Sequence, residues 1–259
     1  MSGMHMEAKD ALVVRPAKRQ KRSDRIAAKI RDLISLRGLK PGDRLPQHWL
    51  AEEELRASKG TVREAMKALE TQGLVKTRTG PGGGVFVTAL SGEQAIGLLR
   101  NLFLFNQPDI SDIYTLRKLL EPELAASLAG RLDEKKFADL QATIRLYENE
   151  PTTTEEEFQQ RIAELDFHSV LAGFAENRLL GFICVFLHTL LRDMTACREI
   201  YGTSNPQLRE TALSYQVRLI RLLRSGDAEG ARRAMRDHME EAERYMLERA
   251  DVLPTARSA

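Results

Sequence analysis

The residues best placed to do chemistry fall into three groups. Between Ser58 and Leu69, Val62, Ala65, Met66 and Leu69 recur at helical spacing and define one apolar face. The opposite face carries Gly60, Arg63, Glu64 and Lys67, with Ser58 placed as N-cap and Lys59 and Thr61 in the first turn. A helix with an open basic face suits a polyanion, and an arginine there can pair with O6 and N7 of guanine. The second group is Gly80-Pro81-Gly82-Gly83-Gly84. A phosphate-cradling nucleotide loop would need GxxxxGK[ST] with a helix starting after the glycines, and neither is present. The third group is Arg117 with Glu121 one helical turn later, a planar, permanently charged fork that either closes an i,i+4 ion pair or takes up a carboxylate. His188 stands at helical spacing from Cys184 and Leu191, which points it into an apolar layer. Cys184 and Cys197 lack CxxC or Cys/His spacing and read as reduced core residues. No HExxH, nucleophile–base pair or paired catalytic carboxylates occur, which argues against an enzyme.

The elements that must position these groups are mainly helical. Ile26, Ile30, Leu33 and Ile34 predict a helix from Ser23, ended by Gly38 and Pro41-Gly42. A short helix is expected from Gln47 to Leu55, and Gly73 closes the helix that begins after Ser58. Leu74–Thr79 and Val85–Thr88 flank the glycines as two β-prone runs, a hairpin. Three helices and a hairpin in residues 23–90 describe a winged helix-turn-helix. Charge follows the same division. Of 39 basic and 37 acidic residues, residues 1–90 hold 18 and 10, a net +8, leaving the rest of the 259-residue chain at −6. A basic head on an acidic body suggests polyanion binding confined to the head. Residues 1–22, with Arg15, Lys18, Arg19, Lys21 and Arg22 around Pro16, read as a flexible basic arm.

After a linker at 91–92, the period predicts seven helices at about 93–105, 111–130, 133–149, 154–175, 177–199, 207–225 and 228–250. They form an all-α antiparallel bundle over 93–252, with a tail at 253–259. The second of them has an expected core stripe of Ile113, Leu116, Leu120 and Leu124, flanked by Arg117, with Pro122 as a kink. The longest apolar stretch, Leu179 to Leu191, is interrupted by Gly181 and His188 and is too short to span a bilayer. The N-terminus shows no apolar signal core, so a cytoplasmic protein is expected.

The motifs Leu39-Lys40-Pro41-Gly42-Asp43-Arg44-Leu45-Pro46, Ser58-Lys59-Gly60-Thr61-Val62-Arg63-Glu64-Ala65, Leu69-Glu70-x-x-Gly73-Leu74 and the glycine-rich turn before Val85-Phe86-Val87 resemble the GntR family of bacterial transcription regulators. The resemblance implies double-stranded DNA with a palindromic operator as partner. It places Ser58, Lys59, Gly60, Thr61, Arg63 and Lys67 at the major groove, and Arg78, Gly82 and Gly83 of the wing at the minor groove or backbone. One departure stands out: Gln47-His48-Trp49-Leu50-Ala51-Glu52 occupies a usually polar stretch, with Trp49 at the position of a DNA-contacting arginine.

Tyr114-x-x-Arg117-x-x-x-Glu121-x-x-x-Ala125, Phe167-His168, Glu176-Asn177 and Ser225-Gly226-Asp227-Ala228 with His238 downstream resemble the FCD effector-binding domain of the FadR-like branch. That resemblance implies a homodimer, usually a repressor, with a small carboxylate-containing effector. It also implies a divalent metal (Zn, Ni or Mn) inside the bundle. Carried over, the metal ligands fall on Glu164, His168 and His238. Gln216 stands where a further histidine ligand is usual, and His188 is a candidate third imidazole. Glu164 and His168, four apart, share one helical face. Arg117, Tyr114, His188 and Gln216 become the effector-facing residues. Three alternatives stay open: the histidines as metal-free hydrogen-bonded core residues, a helical metal-dependent enzyme with a nucleic-acid-binding appendage, and a DNA-binding dimer without effector. An apolar filled interior would favour the last, a polar interior containing Arg117 and the histidines the regulator.

Overall fold

The computed structural model describes residues 21–145, 149–194, 197, 199–200 and 206–252. The basic arm, apart from Lys21 and Arg22, and the tail 253–259 lie outside the described residues. The chain divides into two compact units, Met1–Ser91 and Gly92–Ala259.

In the first unit, α1 (Arg22–Leu36) buries Ile26, Ala27, Ile30 and Ile34 against Val62, Ala65, Met66 and Leu69 of α3 (Lys59–Thr71). The single helix expected from Gln47 to Leu55 is instead a 3₁₀ turn, Gln47–Leu50, and a one-turn α2, Glu52–Leu55, separated by Ala51 in extended backbone (φ −68°, ψ 136°). The reason is packing. Trp49 and Leu55 are both buried in the head core, and in one continuous helix residues six apart would point roughly 120° away from each other. Breaking the helix at Ala51 lets both anchor the same core.

Strands β1 (Val75–Arg78) and β2 (Gly84–Val87) pair antiparallel from Val75↔Val87 to Arg78↔Gly84. Gly80 and Gly82 supply positive φ at the tip (92° and 76°). Gly83 donates to the Gly80 carbonyl at 2.8 Å, and a Cβ on Gly83 would lie 2.6 Å from the Arg78 carbonyl oxygen. Arg44 bridges to Phe86 across β2, and its guanidinium donates to the Gly83 carbonyl at 2.5 Å.

The second unit runs α4 (Gly92–Leu102), α5 (Ile110–Leu128), α6 (Glu134–Ile144), α7 (Thr154–Gly173), α8 (Arg178–Asp193), α9 (Pro206–Ser225) and α10 (Ala228–Val252). These are seven elements in the predicted order, with no strand among the described residues. Asp133 caps α6 through the Lys136 amide, and Asn177 caps α8 through the Leu179 and Leu180 amides. α5 lies along α10, α7 pairs with α8, and α9 packs on α10. At Gly181 the α7–α8 approach leaves no room for a side chain, since a Cβ there would meet the Ala172 carbonyl at 2.5 Å. α5 continues through Pro122 as one helix.

The expected stripe on α5 needs correction. Leu116 is 44% exposed, while Ile113, Tyr114, Arg117, Glu121 and Leu124 are buried. Two opposite charges that neutralise each other occupy the interior position assigned to Leu116, and the leucine turns outward. No described helix is long and apolar enough to cross a membrane.

Candidate functional site

On the head, the Ser58 side chain accepts from the Thr61 amide at 3.4 Å and shares a 3.0 Å hydroxyl–hydroxyl contact with it. The cap starts α3 so that Lys59, Gly60, Arg63 and Lys67 are exposed while the Val62–Leu69 stripe is buried. Arg78 is exposed on the wing, its guanidinium 4.7 Å above the Phe86 ring, and Gly82 is exposed at the tip, with Gly83 half-buried. Each predicted head residue is therefore on or beside an accessible surface. Trp49 is not: at 8% exposure it is an interior anchor, leaving the neighbouring His48 exposed in its place. Sequence reading missed Arg44, whose only signal was its place in the Gly-Asp-Arg-Leu-Pro run before the 3₁₀ turn.

In the helical unit, five helices converge on one buried polar cluster. α5 contributes Tyr114, Arg117 and Glu121; α7 contributes Glu164, His168 and Ser169; α8 contributes His188; α9 contributes Tyr215, with Gln216 buried next to it in the chain; and α10 contributes His238. Arg117, Glu121, His168, His188 and Gln216 are at most 2% exposed. Arg117 Nε donates to Glu121 Oε1 at 2.5 Å, and the same oxygen is 3.0 Å from His188 Nε2. His188 Nδ1 lies 3.0 Å from the Ser169 hydroxyl. With that ring neutral, Nε2–H donates to Glu121, and Nδ1 shares the single Ser169 hydroxyl proton with the Leu165 carbonyl, to which that hydroxyl donates at 2.9 Å. Glu121 Oε2 approaches His168 Nδ1 to 2.7 Å, off the straight line of an ideal hydrogen bond. His238 Nε2 is 3.3 Å from Glu164 Oε1. The His238 and Tyr215 rings stack at 3.7 Å, and His168 lies parallel to His238 at 5.3 Å. Arg117 sits 4.9 Å over the Tyr114 ring.

These surroundings set the protonation states. Burial pushes the Glu121 carboxyl up, but Arg117 and the two histidines overcome it and hold the group well below the usual carboxylate range. Glu164 is likewise pushed up by burial and brought down to about 2 by the hydrogen bond and charge of His238 and by Arg161. Burial lowers His168 to about 4 and lowers His188 as well. Burial also raises the Tyr114 and Tyr215 hydroxyls above their ordinary range. Near neutral pH the cluster thus combines two carboxylates and a guanidinium with neutral His168 and His188, the form in which imidazole binds metal.

The donor set fits a divalent cation. Glu164, His168 and His238 each offer an atom, all within 4.8 Å of one another. One carboxylate and two imidazoles make a recognised zinc ligand set that keeps a coordination position open. His168 Nε2 and both amide atoms of Gln216 are buried without a hydrogen-bond partner, and His238 Nε2 faces Glu164 Oε1 at 3.3 Å. Glu121, His168 and His188 form a second group of the same compactness. There the Arg117 cation already occupies the carboxylate, and a second cation beside it would be repelled. The structure thus brings together Tyr114, Arg117, Glu164, His168, His188 and His238 of the seven residues predicted for metal and effector, and buries Gln216 on α9. It adds Glu121 as the carboxylate shared by Arg117, His168 and His188, and Tyr215 as the stacking partner of His238. Glu121 was legible as the i+4 partner of Arg117, whereas Tyr215 carried no signal beyond standing next to Gln216. A cleft of about 590 Å³ on the same unit, lined by Ile96, Arg178, Phe182 and Arg192 among others, includes none of these residues.

Comparison with known proteins finds a match for each part of the chain. Residues 22–87 match the model for bacterial regulatory proteins of the gntR family, and residues 112–241, half of the chain, match the FCD domain. The chain is 27% identical over 206 residues to the HTH-type transcriptional regulator LutR of Bacillus subtilis (strain 168), covering 79% of this chain and 92% of LutR. It is 28% identical over 235 residues to the HTH-type transcriptional repressor NanR of Edwardsiella tarda (strain FL6-60), covering 87% and 85% of the two. In fold it resembles the solved structure of Streptococcus agalactiae GntR, with a TM-score of 0.59 at 22% identity over 86% of this chain and 99% of that one. These relatives are transcription regulators rather than enzymes, and the chain belongs to the GntR family of bacterial regulatory proteins, as a DNA-binding transcription regulator whose second part is an FCD domain.

Proposed function

We propose that this regulator is a homodimeric repressor of the cytoplasm whose grip on a palindromic operator changes when a small carboxylate-bearing effector enters the FCD domain beside a divalent metal ion. The observation that carries the reading is the interior of that domain, which is polar and holds buried donors and acceptors without partners at His168 and Gln216. Each such group costs about 1–3 kcal/mol if left unsatisfied. A bundle that served only to dimerise would fill the same space with apolar side chains. The repressor sign draws its support from the similarity to NanR, which is named a repressor.

Glu164, His168 and His238 would hold the ion (Zn, Ni or Mn), which supplies a Lewis-acid attachment point for a carboxylate. Gln216 offers an uncommitted amide N–H and C=O to the effector. Tyr114, Arg117 and His188 complete the wall, Arg117 through its fixed positive charge and His188 through its ring. On the head, Lys59, Arg63 and Lys67, with the α3 start at Ser58, Gly60 and Thr61, face the major groove. Arg78, Gly82 and Gly83 carry the wing to the backbone or minor groove. For the effector to act, it must bind the two head arrangements of the dimer unequally.

The test is a thermal-shift screen of small carboxylic acids with and without divalent metal, followed by operator-DNA titrations with each acid that binds. A ligand of the folded state raises the melting point, and an acid that does so only with metal, and then shifts DNA affinity, is the expected result. An acid that binds while leaving DNA affinity unchanged refutes the regulatory reading.

A further inference from the structure

We infer that Glu121 is the carboxylate that positions His168 as a metal ligand, and that Arg117 and His188 hold Glu121 in place for that task. The inference rests on the metal site proposed above. A metal-binding histidine ordinarily gives its second ring N–H to a carboxylate or carbonyl, which fixes the tautomer and the plane of the ring. Glu121 Oε2 stands 2.7 Å from His168 Nδ1, short of hydrogen-bond alignment but close enough to claim that nitrogen's proton, while Nε2, also buried and without a partner, has no carboxylate beside it and is the nitrogen available to an ion. The other oxygen, Oε1, accepts from Arg117 at 2.5 Å and faces His188 Nε2 at 3.0 Å. With Oε1 engaged on two sides and the side chain 0% exposed, the carboxylate plane has no freedom to swing toward the ion.

Charge separates Glu121 from Glu164. Glu121 carries the Arg117 guanidinium in contact, so its charge is already compensated and it makes a poor direct ligand for a second cation. Glu164 faces His238 and is 16% exposed. Once a divalent ion is bound, the ion, Arg117 and Arg161, whose guanidinium stands 3.9 Å from Glu164, outweigh Glu121 and Glu164 and leave the cluster net positive. Arg117 therefore favours an anionic effector even where no atom of the effector touches it. This gives Arg117 and Glu121 a joint role as positioning residues, with His168 as the group they act through.

The experiment measures Zn²⁺ affinity by chelator competition and stoichiometry by elemental analysis on full-length protein, for the unaltered chain, Glu121→Gln, His168→Gln and the double variant Arg117→Met/Glu121→Gln, which avoids an unpaired buried cation. The expected result is one ion per chain in the unaltered protein and in Glu121→Gln, with a 10–100-fold weaker affinity in the latter, and no stoichiometric ion in His168→Gln. Long-range ¹H–¹⁵N spectra of the zinc-loaded unaltered protein should show His168 bound through Nε2 with the proton on Nδ1, a signature that loss of stability alone does not produce. Absence of zinc from the unaltered chain overturns the metal reading and this inference together. Zinc binding that Glu121→Gln leaves equally tight, or abolishes as His168→Gln does, overturns the inference while the metal site stands. Coordination of His168 through Nδ1 overturns it whether or not the variants fold.

Discussion

Replacing Arg117 by methionine tests the electrostatics of the cluster most directly. The substitution keeps an unbranched apolar stem and removes one charge of a pair whose members are 2% and 0% exposed. Glu121 then retains His168 and His188 as neighbours, both held neutral near pH 7, first by burial and in part by the Arg117 charge itself. Removing one partner of a buried pair costs about 3–5 kcal/mol. In a unit of this size each kcal/mol moves the melting point by about 2–4 °C, so metal-free Arg117→Met should melt roughly 6–20 °C below the unaltered protein. The loss carries a pH signature. Without Arg117 one of the two histidines can take up a proton beside Glu121 and stand in for the missing cation, so the deficit should shrink as the pH falls from about 8 toward about 6. Urea denaturation followed by circular dichroism at both pH values measures it. A deficit below about 1 kcal/mol, the scale of exposed pairs, would refute the claim that this pair is desolvated. An equal deficit at both pH values would refute the exchange of a guanidinium for a proton.

Three further outcomes are expected. His168 titrates at about 4 when folded against 6.5 when unfolded, so the unfolded chain binds more protons between these values: stability of the metal-free protein is full above pH 6.5 and falls by about 3 kcal/mol toward pH 4. Glu164, held at about 2 against 4.5, adds a loss that begins only below pH 4.5, and a urea series flat from pH 6.5 to 4 would contradict the His168 assignment. Trp49→Arg places the family's arginine in a core position that is 8% exposed and should destabilise the head by about 3–5 kcal/mol; an unchanged melting transition would show that Trp49 is no anchor. Lys59→Ala should lower the slope of log affinity against log salt by about one on any DNA, whereas Arg63→Ala should cost about 1–3 kcal/mol on the operator and less on random DNA. Equal losses on both DNAs would confine Arg63 to backbone contact.

The head was legible because its signals are local. The Ser58 cap, the four-residue apolar stripe of α3 and the glycines of the wing are each decided within one turn or one hairpin, and the structure reproduces them. The failure there, one helix expected where a 3₁₀ turn and α2 stand, came from a tertiary demand: Trp49 and Leu55 must reach the same core, and no local period encodes that. The helical unit shows the same contrast. Its seven helices followed from periodicity and breakers. The inward face of α5 did not, because an apolar count assigns Leu116 to the core and a charged pair to the surface. The pairing of Arg117 with Glu121 reverses that order, and it draws its remaining partners from helices 47 and 67 residues further along the chain. Ligand identities at Glu164, His168 and His238 came from resemblance to a family. Their mutual proximity required the fold.

The closure of the polar cluster bears on time as well as on affinity. Arg117, Glu121, His168, His188 and Gln216 are at most 2% exposed, and Glu164, at 16%, is the more exposed of the cluster's two carboxylates. An effector that is to reach Arg117 and His188 must part the helices packed over them, a local opening on the microsecond-to-second scale, so its entry and exit follow that clock rather than the rate of diffusion. A regulator built this way averages over rapid fluctuations in the concentration of its ligand, and a substitution that loosens the α7–α8 seam at Gly181 changes how quickly it forgets a signal before it changes how strongly it binds one.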